Sequence, residues 1–242
     1  MTRPILFASD IHLAADRPAI VELFLRFLRE VATEAQSLYL LGDVFEYWVG
    51  DDDVGDHVAA HVLDALATLH DGGVEVAFMA GNRDFLLGKV AARRAHMRVL
   101  ADPTVINLFG RAALVTHGDA FCTDDVAYQS YRARVRRPWV VKTLRAMPLA
   151  VRHRIARGLR AKSEAEKRGK PAAIMDVNGA AVALAFQSYA VNLMIHGHTH
   201  RPAWHPLEVN GRPCERYVLA DWYERGSYLR VLDKAIDAVP FS

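Results

Sequence analysis

The chain is poor in cysteine and lacks long apolar runs, and each absence argues against a class of protein. Only two cysteines occur among the 242 residues, Cys122 and Cys214, and neither lies in a CxxC or CxxH spacing. The sequence therefore indicates neither a disulfide framework nor a thiolate metal site. No window approaches the roughly 18 apolar residues of a membrane span. The apolar run near the first residue is too short for a secretory signal. We expect a protein of a reducing cytoplasm.

Acidic residues are scarce in one segment, although the chain as a whole is nearly neutral. Residues 131–170 contain 14 Lys or Arg but only 2 Asp or Glu, whereas the formal net charge of the whole chain is +2. A basic block on an acidic body predicts a phosphate-rich ligand, a nucleic acid or an anionic membrane as partner. The charge alone does not choose between them.

The apolar residues form short runs that alternate with helical patterns. Each run is nearly continuous, which predicts strands buried on both faces. The runs span residues 4–10, 37–43, 74–82, 111–119, 192–198, 216–221 and 227–233. Helical spacing separates the early runs, as at Ile20, Phe24 and Phe27. The alternation predicts an α/β layered domain.

The alternation breaks between Asp125 and Asp176. Long helical stretches there are interrupted by Pro138, Pro148 and Gly158. We predict one domain over residues 1–242, with a helical insertion or cap at residues 125–176 within it.

Five of the predicted strands end in residues that can bind a metal ion. The five segments read "SDIH", "GDVF", "GNRD", "THGD" and "HGHTH". In an open α/β sheet, ligand sites assemble at the carboxyl ends of the strands. Oxygen and imidazole donors without thiolate suit Mn, Fe or Zn in a multi-metal site better than a structural zinc. The candidate residues are Asp10, His12, Asp43, Asn82, His117, His196, His198 and His200.

In this order, the motifs D-x-H, G-D, G-N, H-G-D and G-H-x-H resemble those of the calcineurin-like metallophosphoesterases. The resemblance implies a β-sandwich flanked by helices and a binuclear metal site. By position, Asp10, His12 and His200 would hold one metal ion; Asn82, His117 and His198 would hold the other; Asp43 would bridge them. Two cations about 3.5–4 Å apart can clamp the attacking and the leaving oxygen of an in-line displacement. His196 is left over, and we expect it to support the site or the fold.

Arg83 bears on the leaving group. Many members of the superfamily have histidine after the Asn of the G-N motif, and that imidazole can protonate an alkoxide. Arginine cannot donate a proton at working pH, and can only neutralise charge. The leaving group should then depart well unprotonated, as a phosphate monoester does. Arg83 therefore favours a pyrophosphate substrate. The alternative is an incidental salt bridge to Asp84.

A longer set of motifs is similar to one family, the UDP-2,3-diacylglucosamine pyrophosphatases of Gram-negative lipid A synthesis. The matching stretches span residues 9–229 and read "SDIHL", "GDVFEYWVGDD", "GNRDF", "VTHGDAFCTDD", "IMDVN", "IHGHTHRP" and "LADWYERGSYL". The resemblance implies cleavage of UDP-2,3-diacylglucosamine to UMP and 2,3-diacylglucosamine 1-phosphate (lipid X), with water attacking the α-phosphorus. It also implies two Mn²⁺ ions, with Fe or Zn as alternatives, and a peripheral position on the cytoplasmic face of the bacterial inner membrane. We expect no nucleic-acid partner and no obligate protein partner.

The same resemblance implies the functional residues. Catalytic roles fall to Asp43, Arg83 and His198. Substrate contacts fall to Asn82, Arg83, Asp125, Ser163, Lys167, Lys170 and His198. Ser163, Lys167 and Lys170 share one face of a helix by their spacing; the alternative is a solvated charged face.

The cap is predicted to contact lipid. Apolar residues such as Val151, Ile155 and Leu159 form a stripe among arginines at 152, 154, 157 and 160. Such a pattern is typical of an interfacial helix, and the apolar faces could also form a cleft for acyl chains. The alternative is an ordinary cap with a soluble basic exterior.

Two other functions compete with this interpretation. One is a soluble metallophosphoesterase that acts on a nucleotide or a nucleic acid, with the basic block as a phosphate track. The other is a scaffold that kept the fold but lost the chemistry. The acidic segment "GDDDVGD" at residues 50–56 is interpreted as a solvated loop near the site.

Overall fold

The computed structural model describes residues 2–53, 55–167 and 172–242, without the side chains of residues 162–167, 172 and 173. Its first sheet has six strands in the order β11-β10-β1-β2-β3-β4. Strands β1 to β4 are parallel, whereas β10 and β11 pair antiparallel at one edge. The strands are β1 Ile5–Ala8, β2 Ser37–Leu41, β3 Glu75–Met79, β4 Arg98–Leu100, β10 Gly226–Leu232 and β11 Ala235–Phe241.

The second sheet has five strands in the order β5-β6-β7-β9-β8. Its centre is parallel, because β6 pairs with β7 in the register Leu114↔Met194 and β7 pairs with β9. The edges β5 and β8 are antiparallel to their neighbours. The strands are β5 Thr104–Leu108, β6 Arg111–Thr116, β7 Leu193–His196, β8 Ala203–Val209 and β9 Arg212–Val218.

The alternation of side chains along each strand divides the core into layers. Ile5 and Phe7 point from β1 toward the second sheet, where they join Val115 and Ile195 in the core between the sheets. Leu6 and its counterparts point the other way, against helices α1 (Pro18–Glu30), α2 (His57–Asp71) and α3 (Lys89–Arg94). On the outer face of the second sheet lies α7 (Gly179–Ser188). The molecule is a β-sandwich with helices on both outer faces.

Local sequence explains where the flanking helices begin. Pro18 occupies the start of α1, where its fixed φ favours the helix and its missing N–H costs nothing. The Asp56 side chain accepts a hydrogen bond from Ala59 N at the start of α2, and Asn178 caps α7 in the same way. In α1, Ile20, Phe24 and Phe27 are buried, as their spacing predicts.

Three further helices follow β6 and extend from the body. They are α4 (Val126–Val135), α5 (Pro138–Ala146) and α6 (Leu149–Lys167), and together they are called the cap. All three lie within the predicted insertion at residues 125–176. None of the described helices is both long and apolar enough to cross a bilayer.

The α/β two-sheet architecture confirms the predicted fold class. The structure also has four strands and two helices that the sequence did not predict: β4, β5, β8, β11, α3 and α7. The assumption that every strand is buried on both faces was wrong for β10, where Arg230 is exposed. That strand lies near the edge of its sheet, where only one face needs to be apolar.

Candidate metal centre

The predicted ligands follow the strands at one edge of the two sheets. Asp10 and His12 follow β1, Asp43 follows β2, and Asn82 follows β3; His117 follows β6, and His198 and His200 follow β7. Positive φ angles between 52° and 70° occur at Asp10, His12, Asp43, His198 and His200. Non-glycine residues rarely adopt this conformation, and it concentrates where the surrounding structure fixes a functional geometry.

Asp10, His12 and His200 converge as the sequence predicted, each offering a ligand atom within 4.8 Å of the others. His200 Nε2 lies 3.3 Å from Asp10 Oδ1. The other carboxylate oxygen, Asp10 Oδ2, accepts hydrogen bonds from Ser9 Oγ at 2.6 Å and His198 N at 2.8 Å. The carboxylate is thus fixed through one oxygen while the other faces the imidazoles.

Two buried atoms of this cluster fit a cation. Asp10 Oδ1 and His12 Nε2 have no hydrogen-bond partner among the described residues, although Asp10 and His12 are at most 1% exposed; His12 Nδ1 also forms no hydrogen bond and lies 3.3 Å from a carboxylate oxygen of Glu46. An unsatisfied buried carboxylate oxygen and imidazole nitrogen are costly, and a bound divalent cation would satisfy both. The donor set of carboxylate and imidazole suits Mn, Fe or Zn.

A second cluster contains His117, Asn82 and Asp43. His117 Nδ1 donates to Leu41 O at 2.9 Å, which directs Nε2 toward Asn82 Oδ1 at 3.2 Å and Asp43 Oδ1 at 3.8 Å. A backbone partner on one ring nitrogen is the usual arrangement for a metal-binding histidine. Asp10, Asp43 and His117 also have ligand atoms within 4.8 Å of one another, so Asp10 as well as Asp43 lies between the two groups.

Charge in the site favours a cation. Burial alone would lower the pKa of His117, but the surrounding carboxylates, Asp43 foremost, raise it to about 9. Burial would raise the pKa of Asp10, yet His200 and the other imidazoles hold it well below its usual range. The Asp10 carboxylate therefore stays ionised and stabilises positive charge beside it.

The other two candidate histidines, His198 and His196, make different contacts. The His198 ring lies edge-on to the His117 ring with centroids 5.0 Å apart, and on its other side stacks on Tyr128 at 5.8 Å. His196 is fully buried; its Nδ1 donates to Gly197 O at 2.9 Å, and its Nε2 accepts from Arg216 at 3.0 Å. Both nitrogens of His196 are therefore engaged away from the clusters.

Two glycines let the ligand loops touch. A Cβ at Gly81 would overlap the carboxylate and backbone nitrogen of Asp43, and one at Gly197 would overlap Ser9 Oγ and the Asp10 carboxylate. These contacts involve backbone or tightly held groups, so a larger residue would displace the ligands. The close packing of the four loops that follow β1, β2, β3 and β7 depends on the absence of a side chain at these points.

Arg83 lies beside the second cluster. Its backbone N–H donates to Asp43 Oδ1 at 2.8 Å, and its guanidinium is 3.3 Å from Glu46 Oε1. Asp84, the alternative partner, is fully buried and accepts instead from Gly81 N and Val44 N, each at 2.8 Å. Asp84 therefore ties the β2 and β3 loops together, and the Arg83 side chain is directed elsewhere.

A cavity of about 460 Å³ lies between the cap and the body. Its walls are mainly apolar, and Asn82, Arg83 and Arg160 lie among its lining residues. Apolar side chains come from both sides and include Trp48, Phe85, Leu86, Val135, Leu144 and Ile155. The cavity is thus mainly apolar, and the loop that carries the predicted ligand Asn82 forms part of its lining.

Residues 3–202 match the family model described as calcineurin-like phosphoesterase. The chain belongs to the calcineurin-like phosphoesterase family. It is 51% identical over 233 residues to a UDP-2,3-diacylglucosamine hydrolase of Stenotrophomonas maltophilia (strain K279a), covering 93% of this chain and 94% of that one. It is 46% identical over 236 residues to a UDP-2,3-diacylglucosamine hydrolase of Escherichia coli O7:K1 (strain IAI39 / ExPEC), covering 98% of each. A solved archaeal phosphodiesterase shares the fold, with a TM-score of 0.50, 11% identity, and 98% and 99% of the two chains covered.

The predicted substrate contacts of this phosphoesterase are only partly described. Asp125 lies at the N-terminus of α4, and its carboxylate accepts from Tyr128 N at 3.1 Å. The side chains of Ser163 and Lys167 and the whole of Lys170 lie outside the described residues. Their proposed contacts stay predictions.

The basic block is less available to a partner than the sequence suggested. Arg132 and Arg136 contact the buried Asp119 at 2.8 and 3.4 Å, and Arg136 also donates to Gly81 O at 3.0 Å. Arg152 is 3% exposed and binds Asp52, Val49 O and Met147 O. Much of the positive charge therefore attaches the cap to the body, because helices that bury little apolar surface need other contacts.

The segment at residues 50–56 is only partly solvated: Asp52 and Gly55 are exposed, but three of its carboxylates have partners on the body or the cap. Asp51 accepts hydrogen bonds from Trp48 Nε1 and from Gly88 N, Val90 N and Ala91 N at the start of α3. Asp52 pairs with Arg152, and Asp53 lies 2.9 Å from His153 Nε2. These carboxylates hold α3 and the cap in place.

The sequence pattern did not single out Glu46 or Asp119, although both are buried charged residues next to predicted ligands, and it pointed to Asp84 only as a local partner of Arg83. Glu46 lies within "GDVFEYW", three residues after Asp43, and Asp84 lies two residues after Asn82. A carboxylate that close to a ligand in a nearly apolar stretch was the available signal. This signal was missed because the carboxylates lie on loops, where carboxylates are usually solvated.

Proposed function

We propose that this phosphoesterase hydrolyses the pyrophosphate bond of UDP-2,3-diacylglucosamine, releasing UMP and 2,3-diacylglucosamine 1-phosphate. The observation that carries the proposal is the apolar cavity beside a phosphoesterase site. A nucleotide or a nucleic acid has no long apolar segment to fill such a cavity, whereas two acyl chains do. The relatives named above act on the same substrate by name.

The proposed metal ligands are the residues of the two clusters together with His198, whose ring lies 5.0 Å from the His117 ring. Asp10, His12 and His200 would hold one divalent ion, Asn82, His117 and His198 the other, and Asp43 would lie between them. We propose Mn²⁺, because the donors are oxygen and imidazole without thiolate. Two such ions would neutralise the phosphate charge and activate the attacking water.

Arg83 then determines the class of leaving group. We infer that its guanidinium neutralises the departing sugar phosphate, which needs no proton to leave. It would act from the mouth of the cavity, where 13% of its side chain is exposed. Asp43 contributes by fixing the Arg83 backbone as well as by its proposed place between the ions. His198 would contact the phosphate from the opposite side of the second cluster.

We further propose that the cavity holds the acyl chains. Each buried methylene contributes about 0.8 kcal/mol, so even a few methylenes from each chain would add substantially to affinity. A mainly apolar cavity of this volume would favour the acylated sugar over UDP-GlcNAc, which carries only an acetyl group.

The outer face of the cap is proposed to meet the cytoplasmic face of the inner membrane. Trp139 is 65% exposed, and Val151 is exposed on α6. Arg154 and Arg157 are exposed on the same helix. Apolar side chains beside cations suit an anionic bilayer, to which each basic residue contributes about 1 kcal/mol.

The decisive experiment offers the purified protein Mn²⁺ with UDP-2,3-diacylglucosamine, UDP-GlcNAc and bis-p-nitrophenyl phosphate. We expect strong preference for the diacylated substrate, and hydrolysis in ¹⁸O-water should label UMP. Preference for the unacylated sugar or the diester would overturn the substrate, and label in the sugar phosphate would overturn attack at the α-phosphorus.

A matched pair of variants tests the cavity. Ala156 lines the cavity on α6, and Ala150 is exposed on the same helix. Ala156→Trp should raise KM for the diacylated substrate and leave diester hydrolysis unchanged, whereas Ala150→Trp should change neither. Equal effects of the two variants would contradict acyl-chain binding in the cavity.

A further inference from the structure

Glu46 is a buried carboxylate that connects the cap to both ligand clusters. It is 4% exposed and is absent from the sets of metal and substrate residues proposed above. Its Oε1 lies 3.3 Å from the Arg83 guanidinium and 3.2 Å from Arg160 Nε, and its Oε2 lies 3.3 Å from His12 Nδ1. One side chain thus faces a predicted metal ligand, a predicted catalytic arginine and a cap residue.

The backbone around Glu46 is fixed. Glu46 N donates to Leu13 O at 3.0 Å, and Leu13 pairs with Phe45 in a parallel bridge. His12 N donates to Asp43 O at 3.0 Å. The carboxylate therefore stands on a segment tied to the loop of Asp10 and His12, so its position relative to His12 is set by backbone hydrogen bonds.

Two physical effects follow from this arrangement. A carboxylate beside Nδ1 favours hydrogen on that nitrogen and leaves the Nε2 lone pair for a metal ion. The same carboxylate holds two guanidinium groups on one oxygen, so both arginines lose conformational freedom before substrate arrives. Arg83 and Arg160 both line the apolar cavity, where a phosphate would meet them.

We propose that Glu46 is a positioning residue that fixes the His12 imidazole for metal binding and holds Arg83 and Arg160 together at the mouth of the cavity. The part that concerns Arg83 rests on the proposed function. The part that concerns His12 does not, because it predicts metal affinity alone.

The test uses Glu46→Gln in the full chain, with Mn²⁺ affinity measured by calorimetry on metal-depleted protein. Loss of a carboxylate partner of a metal-binding histidine typically weakens affinity by about 10–100-fold, and we expect a loss in that range. Asp64→Asn is the matched control, because Asp64 also pairs with an arginine, Arg94, but on the exposed side of α2. It should leave Mn²⁺ affinity unchanged. Wild-type Mn²⁺ affinity in Glu46→Gln would overturn the His12 part.

The second measurement, KM for the diacylated substrate, tests the contact with the cap separately from metal binding. We expect Glu46→Gln to raise KM for the diacylated substrate, and Arg160→Ala to raise it too. In the double variant the two effects should be less than multiplicative, because both remove the same contact. Independent, multiplicative effects would overturn the cap part.

Folding and substrate identity are controlled separately. Thermal melts compare each variant with the wild type, and if Glu46→Gln does not fold, Glu46→Asp takes its place with the same expected direction and a smaller loss. If the wild type fails to hydrolyse the diacylated substrate, the proposed function is wrong. Mn²⁺ titration and diester hydrolysis still decide the His12 part in that case.

Discussion

The loops that carry the two ligand clusters, here called the rim, contact the cap. The rim and the cap are stabilised by different kinds of interaction. In the rim, Asp10, Asp43 and His117 are at most 2% exposed, and their loops are joined by backbone hydrogen bonds and by glycine contacts. In the cap, no residue of α4 or α5 is buried. Its attachment comes largely from polar contacts, in which Arg132, Arg136, Arg152, Tyr128 and His153 reach carboxylates and carbonyl oxygens of the body, and Val141 and Leu144 add apolar packing.

The two kinds of stabilisation suit two tasks: the rim fixes the positions of the metal ligands, and the cap recognises the substrate. Chemistry at phosphorus needs ligands fixed to a fraction of an ångström, and buried loops at the ends of strands provide that. A lipid substrate needs an apolar cavity, which requires apolar side chains left partly uncovered. Charged contacts let the cap keep such side chains at its inner face and still stay on the body.

The largest expected effect comes from breaking the rim. Asp43→Ala should lower kcat by about 10³-fold or more, since several kcal/mol of charge stabilisation is lost and each 1.4 kcal/mol is tenfold. Mn²⁺ binding should weaken in parallel. Steady-state kinetics and calorimetry check both, with Asp64→Asn as a control. Turnover within tenfold of the wild type would exclude Asp43 from the centre.

Arg83→Ala should come next. Loss of one charge donor in the transition state costs about 2–4 kcal/mol, equivalent to a roughly 30- to 1000-fold loss in kcat. KM should change little, because the stabilised charge develops on the leaving group. Arg94→Ala, which removes an exposed arginine distant from the cap, is the control. A wild-type kcat would refute the leaving-group argument.

Arg152→Ala tests the attachment of the cap. Its guanidinium binds Asp52, Val49 O and Met147 O, and loss of charged hydrogen bonds of this kind costs about 1.5–3 kcal/mol. We expect KM for the diacylated substrate to rise about tenfold while diester hydrolysis continues at the wild-type rate. Arg154→Ala, exposed on the same helix, should leave KM unchanged when substrate is presented in detergent. Equal loss of both activities would show that the cap and the rim are not separable.

The smallest effect is expected at the outer face of the cap. Arg154→Ala and Arg157→Ala should each weaken binding to anionic vesicles about fivefold, corresponding to about 1 kcal/mol. Raising the salt concentration should weaken wild-type binding further, because exposed charges are screened. Vesicle sedimentation measures both. Binding indifferent to salt and to anionic lipid would remove the membrane from the proposal.

Much of the rim could be predicted because its signal is local. Each metal-ligand candidate follows an apolar run by one to four residues, and strand ends fix where such residues meet. Arg152 and Arg160 could not be placed in the same way. Their helix pattern indicates only that they flank an apolar stripe, whereas the structure turns both toward acidic partners on the body. Those partners lie about 100 residues away in sequence, and no local pattern reports them.

The edge strands were missed for a related reason. β8 contains Pro206 and β11 contains Pro240, and alternating polar residues make both resemble loops. Proline is tolerated in edge strands, where one side of the ladder is unpaired. Both strands lie at the edges of their sheets.

Gly81 and Gly197 limit the substitutions that this sequence can accept during evolution. Because a methyl group at either point would overlap a carboxylate oxygen of Asp43 or Asp10, a lineage that keeps the centre in use should keep both glycines. A descendant that retained the sandwich for another purpose would be free to replace them. In other sequences with this fold, the residues at these two positions should therefore distinguish a functional metal centre from an inactive one, even where all the ligand residues are still present.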